Sequence, residues 1–307
     1  METPKVDILV ATYNGSKYIV ELLQSLSCQT YQNISILVSD DGSSDNTLDL
    51  IRKHSLEDPR VVICDEVKKG GVVNNFNAAL KHSKSNFIMF CDQDDFWHDN
   101  KVEIMLRNII ENERDINGVK LPCLGFSDLK LVNENRNIIY PSFYQFNNLN
   151  PLNNKEIPYL LWKSSVYGCT IIMNRQLYLL SPMIPLQASM HDHWYAFLAC
   201  IFGKIFYVDT ALIEYRQHAL NVVGSHSRSF ASRIKRFSKT MSGIRASVSA
   251  ARFYYLVYKY KTLYPADNNV LTFSEKFNFL RTSVLPYFSE RVVYSLFFSV
   301  IWIAYNE

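Results

Sequence analysis

The chain has 307 residues, 48% of them hydrophobic and 20% charged, with a formal net charge of +3. That length and balance allow a large buried core, as one large domain with an appendage or two packed units, and exclude a disordered chain. A charge so near balance argues against a general nucleic-acid binder. The six cysteines, at 28, 64, 91, 123, 169 and 200, form no CxxC pair and fall mostly inside apolar runs, which fits buried thiols in a reducing compartment. No basic region followed by an apolar stretch opens the chain, and no window reaches eighteen uninterrupted apolar residues. The expected location is cytoplasmic, with contact at the inner face of the cell membrane left open.

In chain order, 6–11 reads as a first strand that ends in Thr12-Tyr13-Asn14-Gly15, and Ile19, Leu22, Leu23 and Leu26 recur at helical spacing after it. A second strand over 34–39 runs into Asp40-Asp41-Gly42-Ser43-Ser44-Asp45, and Asp45-Asn46-Thr47 offers cap-like residues to the next helix. A short strand at 61–64, a helix carrying Val73, Phe76 and Leu80, and a fourth strand at 86–90 continue the alternation. Such alternation predicts βαβ crossovers, a mainly parallel sheet, and ligands beyond the carboxyl ends of the strands.

The fourth strand opens onto Asp92-Gln93-Asp94-Asp95, three carboxylates within four positions. On an extended segment Asp92 and Asp94 point the same way, so they can share Mg²⁺ or Mn²⁺; an acidic turn after an interior strand is the plainer alternative. The polar clusters at 12–15, 40–45 and 92–95 all occupy strand ends, which favours one cleft over three unrelated turns.

Further on, 101–112 reads as a helix and 123–128 as a strand leading to a loop. The asparagine-rich stretch 133–154 is either a long ordered loop or a variable excursion. Gly168 lets a backbone approach a ligand or makes a bend, and His191-Asp192-His193 begins a helix in which Asp192 has an ordinary role as dipole partner. Segments 205–208 and 211–215 are expected to form a strand pair leading to Arg216-Gln217-His218. From 225 to 266 there are nine lysines or arginines and no carboxylate, with aromatics interleaved, which suits a helical unit on anionic lipid or a basic helix packed on the protein. The run 292–305 is too short for a secure span and fits an interfacial or packing helix.

Together, the segments 8–14, 38–45 and 91–95, with Tyr215-Arg216-Gln217-His218 and Asn221-Val222-Val223-Gly224, resemble the inverting family 2 glycosyltransferases in order and spacing. The resemblance covers roughly 5–225, and Asp92-Gln93-Asp94-Asp95-Phe96-Trp97 is similar to bacterial rhamnosyltransferase-like enzymes. It implies an α/β GT-A fold with a catalytic domain over 1–225 and a helical C-terminal region over 226–307. It implies that Thr12, Tyr13 and Asn14 line a nucleotide pocket, with Asp40 or Asp41 at the base or ribose. Asp94 and Asp92 would hold the metal, Asp92 alternatively reaching ribose or a bridging water. His218 would add a ligand or touch the diphosphate, and Arg216 would balance phosphate charge. Asp192 would be the general base, although His191 stands where the family commonly has glutamate.

The implied activity is transfer of a sugar from a nucleotide-sugar donor, first dTDP-rhamnose, to a growing surface glycan or lipid-linked acceptor, with Mn²⁺ or Mg²⁺. UDP-glucose or UDP-galactose as donor and a glycoprotein as acceptor stay open, as does a homo-oligomer. A binding module that has lost transfer is the alternative class; a nucleotidyltransferase lacks its glycine-rich, lysine-containing motif here.

Overall fold

The computed structural model describes residues 3–217, 230–266 and 269–305, with side chains from 242 onward in the long helix that begins at 230. The first half is built as its alternating pattern predicts: β1 (Val6–Thr12), α1 (Ile19–Ser27), β2 (Ile34–Asp40), α2 (Thr47–Glu57), β3 (Val61–Asp65), α3 (Val72–His82) and β4 (Phe87–Asp92). There follow β5 (Phe96–Trp97), α4 (Lys101–Asn112), β6 (Cys123–Val132), β7 (Ile138–Tyr140), α5 (Phe143–Phe146), α6 (Ile157–Leu160), β8 (Ile171–Asn174), α7 (Arg175–Leu180), α8 (His191–Phe202) and β9 (Lys204–Arg216). The C-terminal region is helical: α9 (Phe230–Tyr260), α10 (Phe273–Phe279) and α11 (Val292–Ala304).

The strands form one nine-stranded sheet in the order β3-β2-β1-β4-β8-β6-β9-β5, with β7 on β6. β1 to β4 pair in parallel, β8 runs antiparallel to β4 and β6, and β6 and β9 are parallel. The crossover helices cover both faces, so the central strands are buried throughout and read as unbroken apolar runs. Ile8 and Val10 face a core closed by α1, α2 and α4, whereas Leu9 and Ala11 face one closed by α3, α8, α9 and α11. That period of two holds β1 in register, because a slip of one residue would exchange its two faces.

The expected strand pair at 205–215 is one continuous strand. Asp209 and Thr210 are exposed between two apolar runs, which mimics a turn in the sequence, but β9 instead stays beside β6 through register shifts around Asp128. The asparagine-rich stretch is ordered. Asn150 caps a short 3-10 turn at Pro151–Lys155 by accepting from Leu152 N (3.0 Å), and Asn154 binds Ser165 through both its backbone amide (2.9 Å) and its hydroxyl (2.8 Å). The cap-like Asn46 makes no side-chain cap; Asp45 takes that role with Thr47 N at 3.0 Å.

Residues 273–304 follow one helical path, long and apolar enough to cross a membrane. The path is not a straight rod. Phe279 and Trp302 would lie about 34 Å apart along a straight α-helix, yet their rings stack at 4.0 Å. A π turn at Leu280–Val284 and a 3-10 turn at Leu285–Arg291 fold α11 back onto α10. Trp302 Nε1 then donates to Lys276 O at 3.0 Å, closing a helical hairpin.

Candidate active site

The parallel register places Thr12 opposite Asp40 and Ala11 opposite Asp92, so three polar loops meet on one rim. Their side chains tie the loops together. Thr12 Oγ1 donates to Asp40 (2.8 Å), which also accepts from Ser43 N (2.7 Å) and Ser43 Oγ (2.6 Å). Asn14, at φ 48°, accepts from Ser44 N at 2.8 Å, a left-handed position that asparagine tolerates. Asp41 accepts from Gly70 N and Gly71 N at 2.8 Å and from Lys69 N. Burial pushes the Asp41 pKa up, but those amides outweigh it and hold the carboxyl below its usual range.

Gln93 links the first loop to the acidic turn. Its amide accepts from Tyr13 N (2.8 Å) and donates to Tyr13 O (3.0 Å), so it pairs with that residue as a neighbouring strand would. A Cβ on Gly15 would stand 2.3 Å from Gln93 Oε1, which explains why glycine follows Asn14. Tyr13 itself is 52% exposed.

β4 ends at Asp92, so the alternation expected to align Asp92 with Asp94 stops there and the chain turns. The carboxylates of Asp92 and Asp95 lie with the Cys169 thiol within 4.8 Å of one another. Burial raises Asp92 to about 7, helped by the charges of Asp94 and Asp192 and opposed by Lys101. Burial also pushes Asp95 well above the usual range, with Asp92 and Asp94 adding to it. Both Asp95 oxygens are buried, with no nitrogen or oxygen donor among the described residues and only the Cys169 thiol beside them. Lys101, fully buried, donates to Cys169 O (2.6 Å) and packs over Trp97; burial lowers it to about 7. A carboxylate pair this under-compensated fits a hard divalent cation, with Asp92 and Asp95 supplying oxygens; Asp94, expected as the first ligand, is not in that group. The Cys169 thiol, held protonated by burial, is a poor ligand for Mg²⁺ or Mn²⁺.

Across the cleft, Asp192 opens α8. Its oxygens accept from Gly168 N (3.0 Å) and His193 N (2.6 Å), and burial raises it to about 6 against those two bonds. His193 is fixed from both sides: Nε2 donates to Leu160 O (2.7 Å), and Nδ1 accepts from Ser189 Oγ (2.8 Å), which accepts in turn from the Tyr254 hydroxyl (3.0 Å). Helix α9 thereby anchors the turn that carries Asp192.

His191 lies between the rings of Phe76 (4.4 Å) and Phe90 (4.9 Å), with neither nitrogen bonded among the described residues. A Cβ on Gly168 would come within 2.1 Å of its Nε2. Burial lowers His191 to about 3, so below an unfolded value near 6.5 the unfolded chain takes the proton first and stability is lost as pH falls toward 3. His191→Leu removes that loss. Relative to the native chain, the variant should gain about 2 kcal/mol between pH 6.5 and 5. Denaturant unfolding at the two pH values measures it, and an unchanged difference would mean that His191 titrates normally.

Arg216 is 4% exposed and turned into the protein: it donates to Asp94 O (3.3 Å), to Glu134 O and to Glu21. It thereby ties the acidic turn to Glu21 and to the loop at Glu134. His218 and 221–224 lie outside the described residues. Gln93, Lys101 and Tyr254 were not anticipated; only the position of Gln93 between two aspartates was a signal.

The rim and facing helix define a GT-A protein. The chain belongs to glycosyl transferase family 2, whose description matches residues 7–176. A dTDP-rhamnosyl transferase, RfbG of Shigella flexneri, is 29% identical over 240 residues, 74% of this chain and 77% of RfbG. WfaP of Escherichia coli, a UDP-Glc:alpha-D-GlcNAc-diphosphoundecaprenol beta-1,3-glucosyltransferase, is 35% identical over 109 residues, 36% of this chain and 42% of WfaP. The mannosyltransferase PcManGT of Pyrobaculum calidifontis, solved with GDP-Man and Mn²⁺, shares the fold with a TM-score of 0.58 at 16% identity, over 99% of this chain and 86% of that one. The matches to the first three curated relatives span 37%, 42% and 65% of their own lengths.

Proposed function

We propose that the chain is an inverting glycosyltransferase that moves a sugar, first of all rhamnose from dTDP-rhamnose, onto a bacterial glycan or lipid-linked acceptor. The observation that carries this reading is the approach of the start of α8 to the end of β4, where the His191 ring, next to Asp192, lies 4.9 Å from the ring of Phe90, two residues before Asp92; the Asp192 charge accordingly helps to raise Asp92. A carboxylate opposite an acidic, cation-fitting turn is what inversion requires: a base on one side of the sugar carbon and a charge-compensated leaving group on the other. Asp92 and Asp94, with Asp95 beside Asp92, would hold Mn²⁺ or Mg²⁺, which when bound would offset charge on a nucleoside diphosphate leaving group. Tyr13 flanks the nucleotide base, and Thr12, Asn14, Asp40 and Asp41 shape the wall behind it. Arg216 and Gln93 keep the turn in place.

The donor choice rests on RfbG, while WfaP supports UDP-glucose as the competitor. A panel of dTDP-rhamnose, UDP-glucose and UDP-galactose with mixed glycan acceptors and Mn²⁺, read by product mass, separates them. A deoxyhexose increment supports the first; a hexose increment rejects rhamnose and keeps the transferase.

The helical hairpin supports peripheral contact with an anionic membrane. Phe273 and Phe277 on α10 and Val292, Val293, Leu296 and Val300 on α11 are exposed, and Arg281 and Arg291 accompany them. The chain should sediment with phosphatidylglycerol vesicles, and Val293→Asp with Val300→Asp should cut the bound fraction at least threefold. Equal binding by the double variant would reject this face.

A further inference from the structure

Asp192 and the acidic turn lie far apart in the chain, and one short 3-10 turn, Gly168–Thr170, touches both. On one side Gly168 N donates to Asp192 at 3.0 Å, and the His191 ring packs so closely that a Cβ on Gly168 would stand 2.1 Å from its Nε2. On the other side the Cys169 thiol lies with the carboxylates of Asp92 and Asp95, all within 4.8 Å of one another. Thr170 closes the turn by donating twice to Tyr167 O, from its backbone N at 2.9 Å and from Oγ1 at 2.7 Å.

Lys101 holds this turn from the start of α4, its ammonium donating to Cys169 O at 2.6 Å. Nothing local favours a lysine there. It is fully buried, and it stands at the end of a helix where the dipole opposes a cation. What offsets those costs lies inside the protein: the Cys169 carbonyl, and Asp95 and Asp92, whose charges favour the ammonium. The Trp97 ring, with its centre 2.9 Å from Nζ, closes another side.

We propose that Lys101 is a positioning residue for transfer: by fixing the Cys169 carbonyl it holds the Gly168–Thr170 turn, and that turn sets where the Asp192 base stands relative to the acidic turn. The inference rests on the transferase reading and adds to it a residue that touches none of the reacting groups. The Gly168 amide and the Cys169 carbonyl belong to one three-residue turn, so a shift at one end is carried to the other. A misplacement of about 1 Å in a catalytic group can cost about 10²-fold in rate.

Lys101→Met removes the donor and keeps an apolar stem against Trp97, while Thr170→Val removes the hydroxyl brace of the same turn without a change of charge. Single-turnover transfer, with dTDP-rhamnose or UDP-glucose as the chain requires, should fall at least tenfold in the first and at least threefold in the second. On an Asp192→Asn background neither should cost more than about twofold further, because a base that is gone cannot be misplaced. A residue that merely supports the fold would cost the same factor on both backgrounds, and that result overturns the proposal. Circular dichroism checks folding; Lys101→Gln, whose amide is one bond shorter, takes the place of Lys101→Met if that variant does not fold.

A second readout needs no transfer. Tyr167-Gly168 is the only Tyr-Gly pair in the chain, so carbonyl-¹³C tyrosine with ¹⁵N-glycine labelling singles out the Gly168 amide. Its hydrogen exchange should quicken at least tenfold in the Lys101 variant, and a native rate there overturns the proposal even where transfer falls. Absence of transfer from every donor overturns the transferase reading instead, and the Gly168 amide still judges whether Lys101 holds the turn.

Discussion

Asp192→Asn should lower transfer by about 10²- to 10⁴-fold, the usual contribution of a positioned general base. With a value near 6, the native carboxylate is largely ionised at neutral pH while remaining basic enough to take a proton from an acceptor hydroxyl. Asparagine keeps the shape but only one acceptor oxygen, so it retains the bond from Gly168 N or from His193 N and not both; circular dichroism and a thermal melt on the same preparation check that α8 is intact. Nucleotide binding should survive, because the substitution removes proton acceptance and leaves the nucleotide-side residues in place, while the lost charge lets Asp92 ionise more readily. Single-turnover transfer and a nucleotide titration on the same preparation check both halves. Near-normal turnover would require another base.

Asp94→Asn should be nearly as severe, by a different route. It removes one of the carboxylates proposed to hold the divalent ion, and transfer should fall at least 100-fold. The distinguishing readout is binding: Mn²⁺ should tighten UDP or dTDP binding to the native chain and have little effect on Asp94→Asn. Chelation should abolish native transfer, and Mn²⁺ or Mg²⁺ should restore it. Full activity in excess chelator would remove the ion from the mechanism. Asp92→Asn is the less clean probe, because Asp92 is coupled electrostatically to Asp94, Asp192 and Lys101 and its loss also relieves their mutual repulsion.

The first four strands and their helices were legible because a strand buried on both faces leaves an unbroken apolar run, and a crossover helix leaves a period near four. The rim was legible for the same reason: polar residues at the ends of such strands have one place to go. β9 was misread because an exposed Asp209-Thr210 looks alike whether the chain turns back or shifts register beside a long partner. The partners of Arg216 were not legible because sequence gives a cation's position without them, and here Glu21, almost two hundred residues earlier, binds the guanidinium. Lys101 reads as the first polar residue of a surface helix; its burial follows from the return of the loop before β8, which no local pattern records. The hairpin of α10 and α11 escaped notice because the turns at 280–291 are themselves helical, so periodicity continues while direction reverses.

The Gln93 amide has a thermodynamic consequence. Because one side chain joins the backbone of Tyr13 to the turn of Asp92 and Asp94, the nucleotide wall and the ion-holding turn lose their conformational freedom together. Whichever ligand arrives first bears the entropy of ordering that shared link, and the second meets a rim already set. By linkage the effect would be reciprocal, the ion and the nucleotide of the proposed donor site each tightening the other by the same factor. On that reading the two halves of the rim would bind as one unit, even though the residues that form them come from opposite ends of the first three crossovers.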